Sequence, residues 1–347
     1  MVKILIIRFS SFGDVLQTLS VAGALHARWP EAEIHWVTRQ EFIPLIETHP
    51  AVNKVWSLPR TGGWRHLLKV AKALRQQQFT HVYDAHNNLR SHFIGWVLKG
   101  FFNWRLLLTN MKFLRRPIYR FRRFLLFRFH HNLFPQPFNG QADLLRPLRH
   151  WGVPLAAPQV PQLFLTLAAK KIAQEKLGDW QKKSFVALAP SAAFALKRWP
   201  FSHWQTLIQS QSDLQFVLLG GPEDHFIKDL VPIAPSRVLN LAGQLSFSES
   251  ASVIELAAAL ISNDTGLLHV GEQLGKPCVA LMGPAPFGFP SRPRTTILEL
   301  NLSCRPCSKH GQGPCVNSQH HKCMVDITPQ KVSQELRRIL GAQDVSP

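Results

Sequence analysis

Acidic residues are the scarce class in this chain: 21 Asp and Glu stand against 40 Lys and Arg, a formal charge of +19 over 347 residues. That imbalance favours an anionic partner, whether nucleic acid, an acidic membrane surface or a phosphorylated substrate. Long apolar runs are also missing; none approaches the ~20 residues that a membrane span needs. Met1 leads straight into Val2-Lys3-Ile4-Leu5-Ile6-Ile7 with no small-residue cleavage site behind it, which reads as the first strand of a cytoplasmic protein rather than an export signal. The pattern Asp-x-Asp occurs nowhere, so a nucleotide diphosphate bridged by a carboxylate-bound metal is unsupported. What remains is a chain with 46% hydrophobic residues, long enough for two α/β domains of ordinary size.

Strand and helix patterns alternate twice. Lys3 to Phe9, Ile34 to Thr38, Lys54 to Leu58 and His81 to Asp84 read as short strands. Helical spacing fills Val15–Arg28, Phe42–Glu47, Leu67–Gln76 and Gln141–His150. Pro154, Pro158 and Pro161 then mark a linker. The alternation restarts with strands at Phe185–Leu188 and Gln215–Leu219, a helix capped by Ser202, and a final helix from Pro329 to Leu340. This βαβ repetition predicts two parallel sheets with helices on both faces, facing a cleft, with ligands at the carboxyl ends of the strands.

The most informative stretch is Leu260-Ile261-Ser262-Asn263-Asp264-Thr265-Gly266-Leu267-Leu268-His269. It reads as buried strand, tight turn and helix start. Asn263, Asp264 and Thr265 are all capping residues, and Gly266 lets a ligand approach the backbone. Backbone N–H groups and the positive end of a helix dipole would converge there on an anion without a metal. His269, one turn in, either reaches that anion or packs under the turn. Asp14 follows the first strand in the turn Ser10-Ser11-Phe12-Gly13, where a carboxylate either takes a proton from a hydroxyl nucleophile or merely caps the next helix. Lys197, in the loop Pro190–Pro200, is either a cation for a diphosphate or an ordinary surface lysine. Glu223, after Gly220-Gly221-Pro222, suits a ribose or a cap.

Two further clusters stand out. Cys304, Cys307, Cys315 and Cys323 lie within twenty residues, interspersed with His310, His320 and His321; the spacing suits tetrahedral binding of Zn or Fe, or else reduced thiols and a redox pair. Cys278 stands apart as a small buried hydrophobe. From Lys99 to His131 there are nine Lys or Arg and no acid, interleaved with phenylalanines, and Arg115 to Arg128 alternates basic and bulky apolar residues. This composition fits an interfacial membrane-binding helix, or a helix with its Phe face on the core and its basic face in water. An RNA surface is the third option, with no accompanying motif.

Together, Arg8-Phe9-Ser10-Ser11-Phe12-Gly13-Asp14-Val15 and Asn263-Asp264-Thr265-Gly266-Leu267-Leu268-His269 resemble the two signature motifs of the ADP-heptose:lipopolysaccharide heptosyltransferases, glycosyltransferase family 9. Lys197-Arg198-Trp199-Pro200 and Gly220-Gly221-Pro222-Glu223 follow in the same order. The resemblance implies a GT-B fold of two Rossmann-like domains: residues 1–160 for the acceptor, 161–328 for the nucleotide sugar, and 329–347 as a helix crossing back. It implies an inverting, metal-independent transfer of heptose from ADP-heptose to a lipopolysaccharide inner-core acceptor. By motif match Asp14 is the base, and Lys197, Glu223, Asp264, Thr265, Gly266 and His269 form the donor site. Ser10, Ser11, Arg115, Arg116, Arg122 and Arg123 are candidates for acceptor phosphate or for the inner face of the membrane. Departures from the family pattern are Ala285 after Gly-Pro, and Gly271-Glu272-Gln273 after the motif His. The four-cysteine segment resembles the iron-binding finger of protein-heptosylating members, which keeps a protein acceptor open. A GT-B epimerase would need acid and base groups beyond Asp14; a non-catalytic nucleic-acid-binding protein would leave both motifs unused, and nucleic acid is not expected.

Overall fold

The structure, a computed structural model, is described for residues 1–100 and 111–342. Phe101, Phe102 and Trp104 of the basic segment lie outside the described residues. The chain divides into two compact units, residues 1–119 with 141–164, and residues 120–140 with 165–347.

In the first unit the order is β1 (Lys3–Ile7), α1 (Phe12–Arg28), β2 (Glu33–Arg39), β3 (Lys54–Leu58), α2 (Gly63–Arg75), β4 (His81–Asp84), α3 (Leu89–Lys99) and β5 (Lys112–Arg115). All pairings are parallel, in the order β3-β2-β1-β4-β5. Ile4, Leu5, Ile6 and Ile7 of the central strand are all fully buried, because helices cover both faces of a parallel sheet and leave no solvent side. Residues 120–140 contribute α4 (Arg120–Phe129) to the second unit, and the chain returns to the first with α5 (Gly140–Leu145) and a short 3₁₀ turn over Arg146–Trp151. Pro147 accounts for that turn: the single helix expected over Gln141–His150 breaks where the backbone loses a donor.

The second unit runs α6 (Leu167–Leu177), β6 (Phe185–Ala189), α7 (Phe201–Ser210), β7 (Gln215–Leu218), β8 (Val238–Asn240), α8 (Phe247–Leu256), β9 (Ala259–Asn263), α9 (Gly266–Leu274), β10 (Cys278–Leu281), β11 (Thr295–Leu298), α10 (Lys322–Val325) and α11 (Pro329–Gly341). Its parallel sheet has the order β11-β10-β9-β6-β7-β8. Helix α7 starts at Phe201 with Pro200 at its cap, two residues before the Ser202 cap that the sequence suggests. Val332, Leu336 and Ile339 of α11 join the core of the second unit, where the helix packs on α7, β9 and β10. Among the described residues no helix is long and apolar enough to cross a membrane.

Both sheets reverse direction beside their first strand, between β1 and β4 in one unit and between β6 and β9 in the other. Ligands in such sheets bind at the carboxyl end of this switch point. The motif around Asp14 follows β1, and the motif around Asp264 follows β9, each beside one of these switch points.

Candidate functional site

In the first unit, the loop after β1 presents Asp14. Ser11 caps α1, and Asp14 is the acidic partner of a capping box: its Oδ2 accepts from Ser11 Oγ at 2.7 Å and from the Ser11 N–H at 3.3 Å. The same oxygen meets Arg8 Nη2 at 2.5 Å, with the Asp14 side chain 38% exposed and Arg8 7%. Burial would push this carboxyl up, but the charges of Arg8 and Arg116 and the Ser11 hydrogen bonds outweigh it and hold Asp14 far below the usual carboxylate range. Arg8 also donates to the Ala85 carbonyl at 2.6 Å, tying the ends of β1 and β4 together across the switch point. Asp14 is therefore both a cap and an ionised carboxylate with an open side.

Arg115 and Arg116 do not share a helix with Arg122 and Arg123, as the sequence spacing suggests. Arg115 ends β5 and its Nε bonds Asp84 at 2.9 Å; Arg116 follows and bonds Asp143 at 2.8 Å, both carboxylates being buried. These two arginines pair with carboxylates of their own unit, Arg115 staying 33% exposed and Arg116 15%. Arg116 still contributes positive potential at Asp14. His86, after β4, is pushed down to about 4 by burial and by Arg8.

The second unit collects its candidates on the loops after β6, β7 and β9. Lys197 Nζ meets Asp264 Oδ2 at 2.5 Å, with side chains only 14% and 7% exposed. Asn263 braces the β6 loop: its amide donates to the Pro190 carbonyl at 2.7 Å and its Oδ1 accepts from the Trp199 N–H at 3.1 Å. Thr265 is the residue of the three that caps α9, accepting from the Leu267 N–H at 3.2 Å. Gly266 opens the helix, and Gly275 ends it in the left-handed conformation. His269 packs beneath the turn, 5% exposed, with Nδ1 3.3 Å from Glu272 Oε2. Glu272 in turn accepts from the Ser291 and Arg292 N–H groups.

Glu223 is exposed, and its neighbour Asp224 is the buried carboxylate of that loop. Asp224 accepts from the Gly221 N–H at 2.8 Å and from Ser191 Oγ, and so ties the loops after β6 and β7. Ser191 thereby spends its hydroxyl on Asp224. The sequence assigns Asp224 and Arg8 no role of their own and reads Asn263 only as a capping residue; their value lies in partners far along the chain.

The four clustered cysteines are free. Burial and the neighbouring Cys304 and Cys315 push the Cys307 thiol up, and burial raises Cys323 to about 11. Asn317 donates to Cys304 Sγ at 3.3 Å and the His321 N–H to Cys315 Sγ at 3.2 Å. Among the described residues no three His, Cys, Asp or Glu side chains converge as ligands of a metal ion. The Zn or Fe site that the spacing suggests is not formed by these thiols as they stand. The segment instead buttresses the loops of the site: Arg305 donates to the Gly283 carbonyl at 2.8 Å, and His321 Nε2 lies 2.9 Å from the Leu196 carbonyl, next to Lys197.

Residues 67–315 match glycosyltransferase family 9 (heptosyltransferase). The chain is 26% identical to lipopolysaccharide heptosyltransferase 2 of Escherichia coli (strain K12), covering 97% of this chain and 98% of that one. The solved E. coli ADP-heptose lps heptosyltransferase II superposes with a TM-score of 0.69 at 23% identity, covering 99% and 100% of the two chains. A family 9 glycosyl transferase from Veillonella parvula gives a TM-score of 0.76 at 19% identity, covering 98% and 97%. The two parallel-sheet units are thus the Rossmann-like halves of a GT-B fold.

Proposed function

Since the chain belongs to glycosyltransferase family 9, and is a glycosyltransferase, we propose that it moves a heptose from ADP-heptose to the inner core of lipopolysaccharide, with inversion and without a metal ion on the diphosphate. Family membership leaves no room for the non-catalytic alternative. The observation that carries the reading is the pair of switch-point sites. One holds an ionised carboxylate, Asp14; the other holds a cation, Lys197, at the capped N-terminus of α9.

In the proposed reaction an acceptor hydroxyl attacks the anomeric carbon, the bond to the diphosphate oxygen breaks, and the hydroxyl proton passes to Asp14. With its pKa held low, Asp14 is ionised before the reaction and weakly basic. It takes the proton late, once the attacking oxygen carries positive charge in the forming bond. Departing ADP gains negative charge, which Lys197 and the α9 N–H groups are suited to receive. Asp264 would release Lys197 to the diphosphate, and Glu223, on an exposed turn, would contact the nucleotide. Ser10 and Ser11 flank the base, and Arg116 and Arg8 supply positive potential for an acidic acceptor. The lipid-borne acceptor would bring the enzyme to the inner face of the membrane.

Asp14→Asn tests the reading. It should preserve ADP binding and lower turnover by about 10²–10⁴-fold, the usual value of a positioned base. Turnover near that of the wild type would sink the assignment.

A further inference from the structure

Helix α4 packs on the second unit through Leu126, Phe127 and Arg123. Leu126 is fully buried, Phe127 packs edge-on to Phe287 with 6.4 Å between ring centroids, and the Arg123 guanidinium lies 4.6 Å over the Phe287 ring. The other side is apolar and open to water: Phe121 is 69% exposed, Phe124 57% and Phe129 60%, followed by Leu133 at 43%. Residues 121, 124 and 128 share one helical stripe, and Phe129 packs against both Phe124 and the Arg128 guanidinium. Arg120, Arg122 and Arg128 are exposed beside them.

A surface helix of a soluble domain turns its aromatic side inward and its charges outward. This one exposes three phenylalanines, and its ten residues are only Arg, Phe and Leu. It offers no amide or hydroxyl side chain with which to read a particular polar surface. It also sits in the middle of an acid-free stretch, residues 85–142, that carries ten Lys and Arg. Rings that enter a headgroup layer, between guanidinium groups that take lipid phosphates, match this pattern.

We propose that the outer face of α4, Phe121, Phe124 and Phe129 flanked by Arg120, Arg122 and Arg128, docks the protein onto a bilayer surface carrying anionic phospholipid. The face excludes Arg115 and Arg116, which Asp84 and Asp143 hold, and Arg123, which is only half-exposed against Phe287. It deepens the reading of a lipid-borne acceptor, and the two can fail separately. Vesicle binding is read without donor or acceptor, and ADP binding without vesicles.

The full-length protein is sedimented with vesicles of phosphatidylcholine alone and of phosphatidylcholine with phosphatidylglycerol. It should bind the mixed vesicles at low salt, leave them at high salt, and bind the neutral ones weakly. Arg120→Ser, Arg122→Ser and Arg128→Ser together should weaken binding to the mixed vesicles on the order of 100-fold, at about fivefold per charge. Phe121→Ser, Phe124→Ser and Phe129→Ser together should weaken it at least about tenfold. Both variants should keep the wild-type melting temperature and ADP affinity, since the altered side chains lie outside the core. Lys171→Ser with Lys182→Ser, 79% and 74% exposed on the same unit, should change binding by less than about twofold. Equal loss from the lysine pair would show diffuse charge instead of a face and overturn the proposal. So would failure of the wild type to bind anionic vesicles, or undiminished binding by the phenylalanine variant. Self-association that the phenylalanine variant abolishes, without vesicle binding, would assign the face to a second copy of the chain.

Discussion

Lys197 and Asp264 form a close ion pair in which both side chains are nearly buried. Removing one member of such a pair leaves the other charged and without its counter-ion, which costs more than the pair itself contributes. If Lys197 exchanges Asp264 for the donor's diphosphate, Lys197→Ala should weaken ADP binding much more than adenosine binding, by roughly 2 kcal/mol or about 30-fold for a charge-assisted contact. Isothermal titration with the two ligands measures this, and equal losses would place Lys197 away from the phosphates. The same reasoning predicts turnover that survives EDTA. At this scale the sequence does not reveal the partners of these residues: Asp264 reads as a cap and is the counter-ion of Lys197, while capping falls to Thr265.

At the scale of elements, α9 decides the geometry of the donor edge. It lies so close to the sheet that a methyl group built at Gly271 would come within 2.7 Å of Cys278 Sγ and 2.8 Å of Leu260 Cδ2. Both neighbours are fully buried and cannot withdraw. Gly271→Ala should therefore push the helix off β9 and β10, destabilise the protein by about 1–3 kcal/mol in urea unfolding, and weaken ADP binding through displacement of Thr265. Unchanged stability would mean that the sheet yields more easily than its packing implies. Cys278 thus occupies the space that a side chain at position 271 would need. Strands β1, β4 and β9 were legible from their apolar runs. The Arg115–Arg128 helix was not, because β5 takes Arg115 as its last residue and Pro117 delays the helix to Arg120.

On the scale of the whole molecule, acid should be the weak point. His49 is 3% exposed; burial pushes it down to about 4, although Gln162 Oε1 lies 3.3 Å from its Nε2. His86 is lowered to a similar value. In each case the folded protein holds the neutral ring and the unfolded chain binds the proton. Their contribution is complete above pH 6.5, the unfolded value, and is lost as pH falls toward 4. For His49 the span corresponds to roughly 3 kcal/mol as an order of magnitude. Urea midpoints should drop between pH 7 and pH 5, and His49→Gln, which keeps a donor for Gln162, should flatten that dependence. A wild-type slope in the variant would move the effect elsewhere.

By itself the sequence determined the class of fold, two rounds of strand–helix alternation, and the turns that end the strands, because side-chain periodicity and turn residues act over a few positions. It also determined the charge balance that calls for an anionic partner. Only the tertiary structure decided which charges are free to serve. Arg115 and Arg116 are held by Asp84 and Asp143, residues 31 and 27 positions away, and Lys197 by Asp264. It assigned residues 120–140 to the second unit, through Phe287 and its surrounding rings. Among the described residues it sets no three His, Cys, Asp or Glu side chains as the ligands of a metal, although the spacing of the four thiols suits one. Ion pairs and aromatic clusters join residues that are distant in the chain, and no local pattern records which partner will be adjacent once the sheets have formed.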